Sequence, residues 1–169
     1  MISLHFPDLR LTTNKLFTGE DFDAFLVSEM SLSTLCTFQI DGHIPKDYYT
    51  GEELEALPDP KQTAWKQLRP LVCGLIRGRR LPAQFKIVFR LAGYNVEKFL
   101  RQTGLPYGPE DIGGLFLNLH YNGQSLTCST GTSLHVFDLS KNLDREWDRM
   151  VRSFFRQKQI PFEEENRQR

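Results

Sequence analysis

Two histidines in the C-terminal third of the chain stand where strand register could bring them together. In GLFLNLHYNGQSLTCSTGTSLHVFDL, residues 114–139, Asn122-Gly123 is a strong hairpin signal, because both central positions of a type I′ turn need positive φ. With that pair at the centre, Leu119 faces Leu126 and Leu117 faces Cys128 on an apolar side. His120 then faces Ser125, and Asn118 faces Thr127, on the other side. A second loop at Thr130-Gly131-Thr132 brings back a third strand, with His135 opposite Thr127 and Phe137 opposite Ser125. One sheet face thus gathers Asn118, His120, Ser125, Thr127 and His135 between Phe116 and Phe137. Imidazoles, hydroxyls and an amide so placed can bind a small polar ligand or support acid-base chemistry. The same alternation also describes an ordinary solvent-facing sheet surface.

A second set of reactive types is electrostatic. KQTAWKQLRPLVCGLIRGRRLPAQFKIVFRL, residues 61–91, holds eight Lys or Arg and no acid, in a chain of zero net charge. Residues 1–60 carry a net charge of −8, residues 61–96 carry +8, and the remainder balances. Arg77, Arg79, Arg80, Lys86 and Arg90 could converge on an anion. Arg77, Arg79 and Arg80 also follow a helix end, where a cation is worth about 0.3–1 kcal/mol against the exposed carbonyls. If strands from the first third share a sheet with residues 84–92, Asp23, Glu29, Asp41 and Asp47 come within reach of Arg79, Arg80, Lys86 and Arg90. The zero total and inward-facing aromatics disfavour a nucleic-acid partner and leave a small anionic ligand or a protein.

Other constellations carry less. Asp41-Gly42-His43 with Lys46 and Asp47 nearby is explained by turn chemistry. Neither H-E-x-x-H nor G-x-S-x-G occurs, and no Gly-rich loop precedes a helix. Cys36, Cys73 and Cys128 are odd in number, far apart and set in apolar runs, so they read as reduced core residues. The residues imply no metal and no cofactor, and they assign no catalytic residue or assembly state.

The elements that must position these groups read as α+β. Leu9, Thr13, Leu16 and Phe17 after Pro7-Asp8 predict a helix stopped near Gly19. Ala24, Leu26, Met30 and Leu32, then Cys36, Phe38 and Ile40, alternate as two strands meeting near Ser33-Thr34. A hairpin at Asp41-Gly42 leads to a strand over 44–49. Trp65, Leu68, Val72, Leu75 and Ile76 mark a helix that Pro70 kinks or divides, and Gly78 closes it. A strand over 84–93 and a helix after Asn95 ending at Gly104 follow. Beyond the meander, Leu143, Trp147, Met150, Val151 and Phe154 line a long helix capped by Ser140, with an Asp148–Arg152 pair on its outside. The expected fold is a mostly antiparallel sheet of about seven strands, with three to four helices packed on one face, in a single domain over 1–160 and a flexible tail over 161–169.

FDAFLVSEMSLSTLCTFQIDG, WKQLRPLVCGLIRGRRLPAQFKIVF, GLFLNLHYNGQSLTCSTGTSL and the end WDRMV…IPFEE together resemble a small family of uncharacterised bacterial proteins catalogued as a domain of unknown function. The resemblance spans most of the chain and implies one intact domain; it carries no activity with it. The amino terminus lacks a basic stretch before an apolar run, and nowhere do about 18 apolar residues run together. The expectation is therefore a cytoplasmic, non-enzymatic binding or interaction domain that does not enter membranes. A small-molecule enzyme using His120 and His135 is the rival, and nucleic-acid binding through residues 61–90 a weaker one.

Overall fold

The computed structural model describes residues 1–76, 78 and 80–165. Seven antiparallel strands form one sheet: β1 (Ser3–His5), β2 (Phe25–Ser33), β3 (Thr37–Ile40), β4 (Gln84–Leu91), β5 (Ile112–Tyr121), β6 (Leu126–Leu134) and β7 (Glu163–Glu164), in the order β3-β2-β4-β5-β6-β1-β7. Helices α1 (Leu9–Phe17), α3 (Trp65–Leu75), α4 (Gly93–Thr103) and α5 (Asn142–Gln157) bury their apolar stripes in one cluster with Val27, Met30, Ile87, Phe89, Leu117 and Cys128 of the sheet. The short α2 (Gly51–Glu55) buries nothing. The fold is α+β, with four helices on one face of an antiparallel sheet, as the periodicities predict.

Local chemistry explains most boundaries. Asp8 caps α1 by accepting from the Leu11 N–H, and Gly104, at φ +66°, ends α4 in the left-handed conformation. Pro70 lies inside a single helix, which continues through it. In α5, Leu143, Trp147, Val151 and Phe155 are buried, and the Trp147 indole N–H donates to the Phe116 carbonyl at 3.0 Å. The helix starts after Lys141 in a left-handed conformation, with the Ser140 hydroxyl accepting from the Asn142 N–H.

β2 departs from simple alternation. Ser28 is an extra residue between the pairs Val27↔Phe89 and Glu29↔Val88, a bulge that turns Phe25 and Val27 to the same side as Met30 and Leu32. Leu26, expected to share that side, lies instead on the outer face, beneath Ala64 and beside Ala92.

Four expectations are corrected. No strand forms over 44–49: Gly42 has positive φ as predicted, but the His43 N–H donates to the Asp41 carboxylate, and residues 42–44 pair with 61–63. The Asn122-Gly123 hairpin centres one residue later, on Gly123-Gln124, because the Asn122 carboxamide accepts from the Gln124 and Ser125 N–H groups and so sits at the turn's first position. Thr130-Gly131-Thr132 is no loop; β6 runs through it and pairs with β1, which has too few residues to show a period. Residues 161–165 of the expected flexible tail are docked, since β7 pairs with β1, Ile160 is buried and Phe162 packs on Phe155, while residues 166–169 lie outside the described residues. Two smaller points also change. Asp148 is buried, bonded to the Thr130 hydroxyl and the Met1 amino group and not to Arg152. Cys36 is exposed, whereas Cys128 is fully buried and Cys73 half-buried; all three are free.

Gly42 permits a sharp test. A Cβ there would stand 1.9 Å from the Val27 carbonyl oxygen at the bulge, whereas one at Gly104 would meet nothing within 4 Å. Gly104→Ala should cost about 1 kcal/mol, the left-handed backbone penalty alone. Gly42→Ala should cost about 3 kcal/mol or more, measured by urea denaturation. Equal costs would mean that the bulge yields freely.

Candidate functional site

With four helices on one side, the opposite face of the sheet is met among the described residues by the segment 41–64 at one corner. Register places a continuous polar row across it: Gln39, Ser31, Lys86, His120, Thr127, His5 and Glu163, each opposite the next. At about 4.8 Å per strand the row spans roughly 29 Å. A second row holds Glu29, Val88, Asn118, Ser129 and Ser3. Lys86 reaches Glu29 at 3.4 Å, His5 lies 3.8 Å from Glu163, and the Asn118 amide donates to the Ser129 carbonyl at 3.3 Å. A pocket of about 700 Å³ opens by Glu29, Ser31, Gln39, Asp41 and Lys86.

Three of the predicted residues, Asn118, His120 and Thr127, do share this face, with His120 directly opposite Thr127. Ser125 lies in the turn, its N–H held by Asn122. His135 is elsewhere. It follows the far end of β6, where its N–H donates to the Asp111 carbonyl at 2.8 Å, and eight residues of chain put it about 26 Å from Thr127. The third strand that was to return it does not exist. Phe137 is likewise off the sheet and 89% exposed, while Phe116 lies over Gly114 in β5. His5 is the residue that sequence reasoning missed; it stands on the other side of Thr127 from His120.

The basic block divides. Arg69 makes a two-pronged bond to Asp23 at 2.8 and 2.9 Å, which raises the guanidinium's pKa further. Lys86 meets Glu29. Arg90 donates to the Gln62 carboxamide at 3.3 Å and to the Gly113 carbonyl at 2.9 Å, so it is held by neutral acceptors. Arg80 is exposed beside α1, and Arg77 and Arg79 lie outside the described residues. Among the described residues, the compensating acid of the first third thus meets the block at two points, Asp23 and Glu29.

Elsewhere, the Arg152 guanidinium bonds Glu164 and holds that carboxyl below its usual range. Tyr107 donates to Asp138, with the phenol raised and the carboxyl lowered by that bond first of all. Burial pushes the Cys128 thiol far above the range in which a thiolate forms. Among the described residues no helix is long and apolar enough to cross a membrane.

Four helices packed on one side of an all-antiparallel sheet, and a hydroxyl- and imidazole-bearing row on the other, define a single-sheet α+β domain with an open face. The chain belongs to a family of unknown function (DUF5721), whose model matches residues 15–163. No curated protein and no solved structure matches it.

Two outcomes follow from the ion pairs. Asp23→Asn, which strands a largely buried Arg69, should destabilise by about 1–3 kcal/mol, whereas Glu29→Gln at the exposed pair should cost ~0–1 kcal/mol; denaturant midpoints compare them. Reversal of that order would place the main compensation of the block at Glu29. Because the Glu164 carboxyl is depressed in the folded state, its contribution is fully present above the ordinary carboxylate range and is lost as pH falls through the folded value. The Glu165 amide, which donates to the Ser3 carbonyl, reports docking of β7. Its NMR shift should move only in acid in the native chain, and at neutral pH already in Glu164→Gln. An unmoved Glu165 signal in that variant would remove the ion pair from the docking.

Proposed function

We propose that the protein is a non-enzymatic, cytoplasmic interaction domain that engages a protein partner through the open sheet face. The observation that carries this reading is the polar row from Gln39 to Glu163, left bare on a sheet whose other side is fully used by helices. Roughly 29 Å of width and some 20 Å along the strands give a surface on the order of 600 Å², close to the ~800 Å² that each partner commonly buries in a stable complex. The pocket on this face takes in one end of the row, Ser31, Gln39 and Lys86, and His120, Thr127 and His5 do not line it. Its charges are of both signs, Lys86 beside Glu29 at one end and Glu163 at the other, which suits a mixed protein surface better than a phosphate backbone. The separation of His120 from His135 takes away the pairing on which an acid-base site was to rest. The three free thiols, one of them exposed, support a reducing compartment.

The test uses a charge-reversed face, Lys86→Glu with His120→Glu, both exposed positions. Native mass spectrometry of the full chain reconstituted with extract of its own cells should show a defined protein complex. The double variant, with unchanged melting temperature, should lose it. A complex indifferent to those changes would refute the assignment of the face. Duplex and single-stranded oligonucleotides should bind no tighter than about micromolar at physiological salt, with affinity falling steeply as salt rises.

A further inference from the structure

We propose that a groove on the helical side of the molecule binds a small amphiphile with one anionic head, a medium-chain carboxylate. The groove holds about 730 Å³, within the range of small-molecule sites, and runs between α1 and the chain that leaves α3 for β4. Arg10, Asn14 and Phe17 line it from α1, at spacings that put them on one side of the helix. Cys73, Ile76 and the Arg80-Leu81-Pro82 segment form the opposite wall. The floor is apolar and fixed: Phe17 is buried edge-on against Phe85 at 5.1 Å, and Pro82 is buried. The rim is cationic, since Arg10 and Arg80 are both exposed and neither meets a carboxylate within 4 Å among the described residues.

Charge decides the head group. Of the acids that follow α1, Asp21 meets Lys15 at 3.7 Å and Asp23 meets Arg69 at 2.8 Å, while Glu20 is exposed and is not among the groove's lining residues. No acid lines the groove, in contrast to the pockets beside Glu29 and Asp41 and beside Glu146, where both signs mix. Two guanidiniums over an apolar floor match a carboxylate with a hydrocarbon tail: the forks bond the oxygens and the tail displaces water from Phe17 and Ile76. A tail alone gains nothing from the rim, and a bare phosphate gains nothing from the floor.

Cys73 supplies a reporter, because it is half-buried in the groove wall, while Cys128 is inaccessible. In a Cys36→Ser background, alkylation of Cys73 by iodoacetamide is followed by peptide mass spectrometry. Decanoate at about ten times its dissociation constant should slow the reaction roughly tenfold, in proportion to the unoccupied fraction. Decanol and inorganic phosphate should not protect. Arg10→Gln with Arg80→Gln should weaken protection by decanoate at least about tenfold, while the unliganded alkylation rate and melting temperature stay at the parent's values. Absence of protection by decanoate below its micellar concentration would overturn the site. Protection equal with decanol, or retained in the double variant, would overturn the role of the two arginines. Sedimentation with phosphatidylglycerol vesicles that depends on the same arginines would mean a membrane headgroup and not a free acid.

Discussion

The ring of Phe89 is the point on which the fold converges. It belongs to β4, held between β2 and β5, and three other rings meet it: Phe22 and Phe25 stack on it at 5.6 Å each and Trp65 meets it edge-on at 5.3 Å. Phe154 then packs edge-on against Phe22 and Phe25, and Phe155 joins through Phe22. Each such pair adds about 0.5–1.5 kcal/mol beyond its burial. The cluster therefore ties the first strand pair, α3 and the end of α5 to the middle of the sheet. Because every ring approaches from the same side, the four packed helices are committed to that side, and the cover needed on the other is confined to Leu26 and its neighbours Ala64 and Ala92. The bare polar face is a direct consequence of where the aromatics sit.

That arrangement demands an irregularity. Phe25 and Val27 must point the same way as Met30 and Leu32, and strict alternation cannot do this without the extra residue, Ser28. The bulge exposes the outward-turned Leu26, which the chain covers with Ala64, and the Val27 N–H finds the Thr63 carbonyl at 2.9 Å. Gly42 fits against the Val27 carbonyl because it has no Cβ. The same crossing segment carries Gln62 to Arg90. One phase shift in β2 thus sets the corner where the open face ends and fixes the last cation of the basic block in a structural role.

What was legible follows from how much burial each element accomplishes. β4, α4 and α5 bury whole faces, so Phe85, Ile87, Phe89 and Leu91, or Val96, Phe99 and Leu100, declare their period. β1 and β7 bury a single residue between them, Leu4, and show no period; their place was given by mistake to the segment 44–49 and to a strand after Gly131. The hairpin slip at Asn122 moved every pair by two residues, which preserves faces, so the apolar side of β5 and β6 survived. The missing turn at Gly131 reverses no strand, so His135 went to the wrong end. His5 was invisible for the same reason as β1, and with it half of the His5–Thr127–His120 row.

The charge asymmetry has a physical resolution that neither total nor block reveals. Opposite charges drawn from distant sequence gain most where solvent is partly excluded, and Arg69 with Asp23 is such a place: the side chains are 16% and 13% exposed, at the junction of α3 with the entry to β2. Lys86 with Glu29 lies in open solvent, where the pair contributes to register more than to stability. Arg90 is neutralised by dipoles, a solution that leaves a cation near the open face without an acid beside it. Lys61, Lys66 and Lys86 face solvent, as does Arg80 beyond α3. Arg80 and Arg10 line one groove between α1 and the segment before β4, and no acid lines it among the described residues. A chain of zero net charge thereby presents two surfaces of different electrostatic character, one of mixed sign on the open sheet, the other a groove lined by two arginines and no acid.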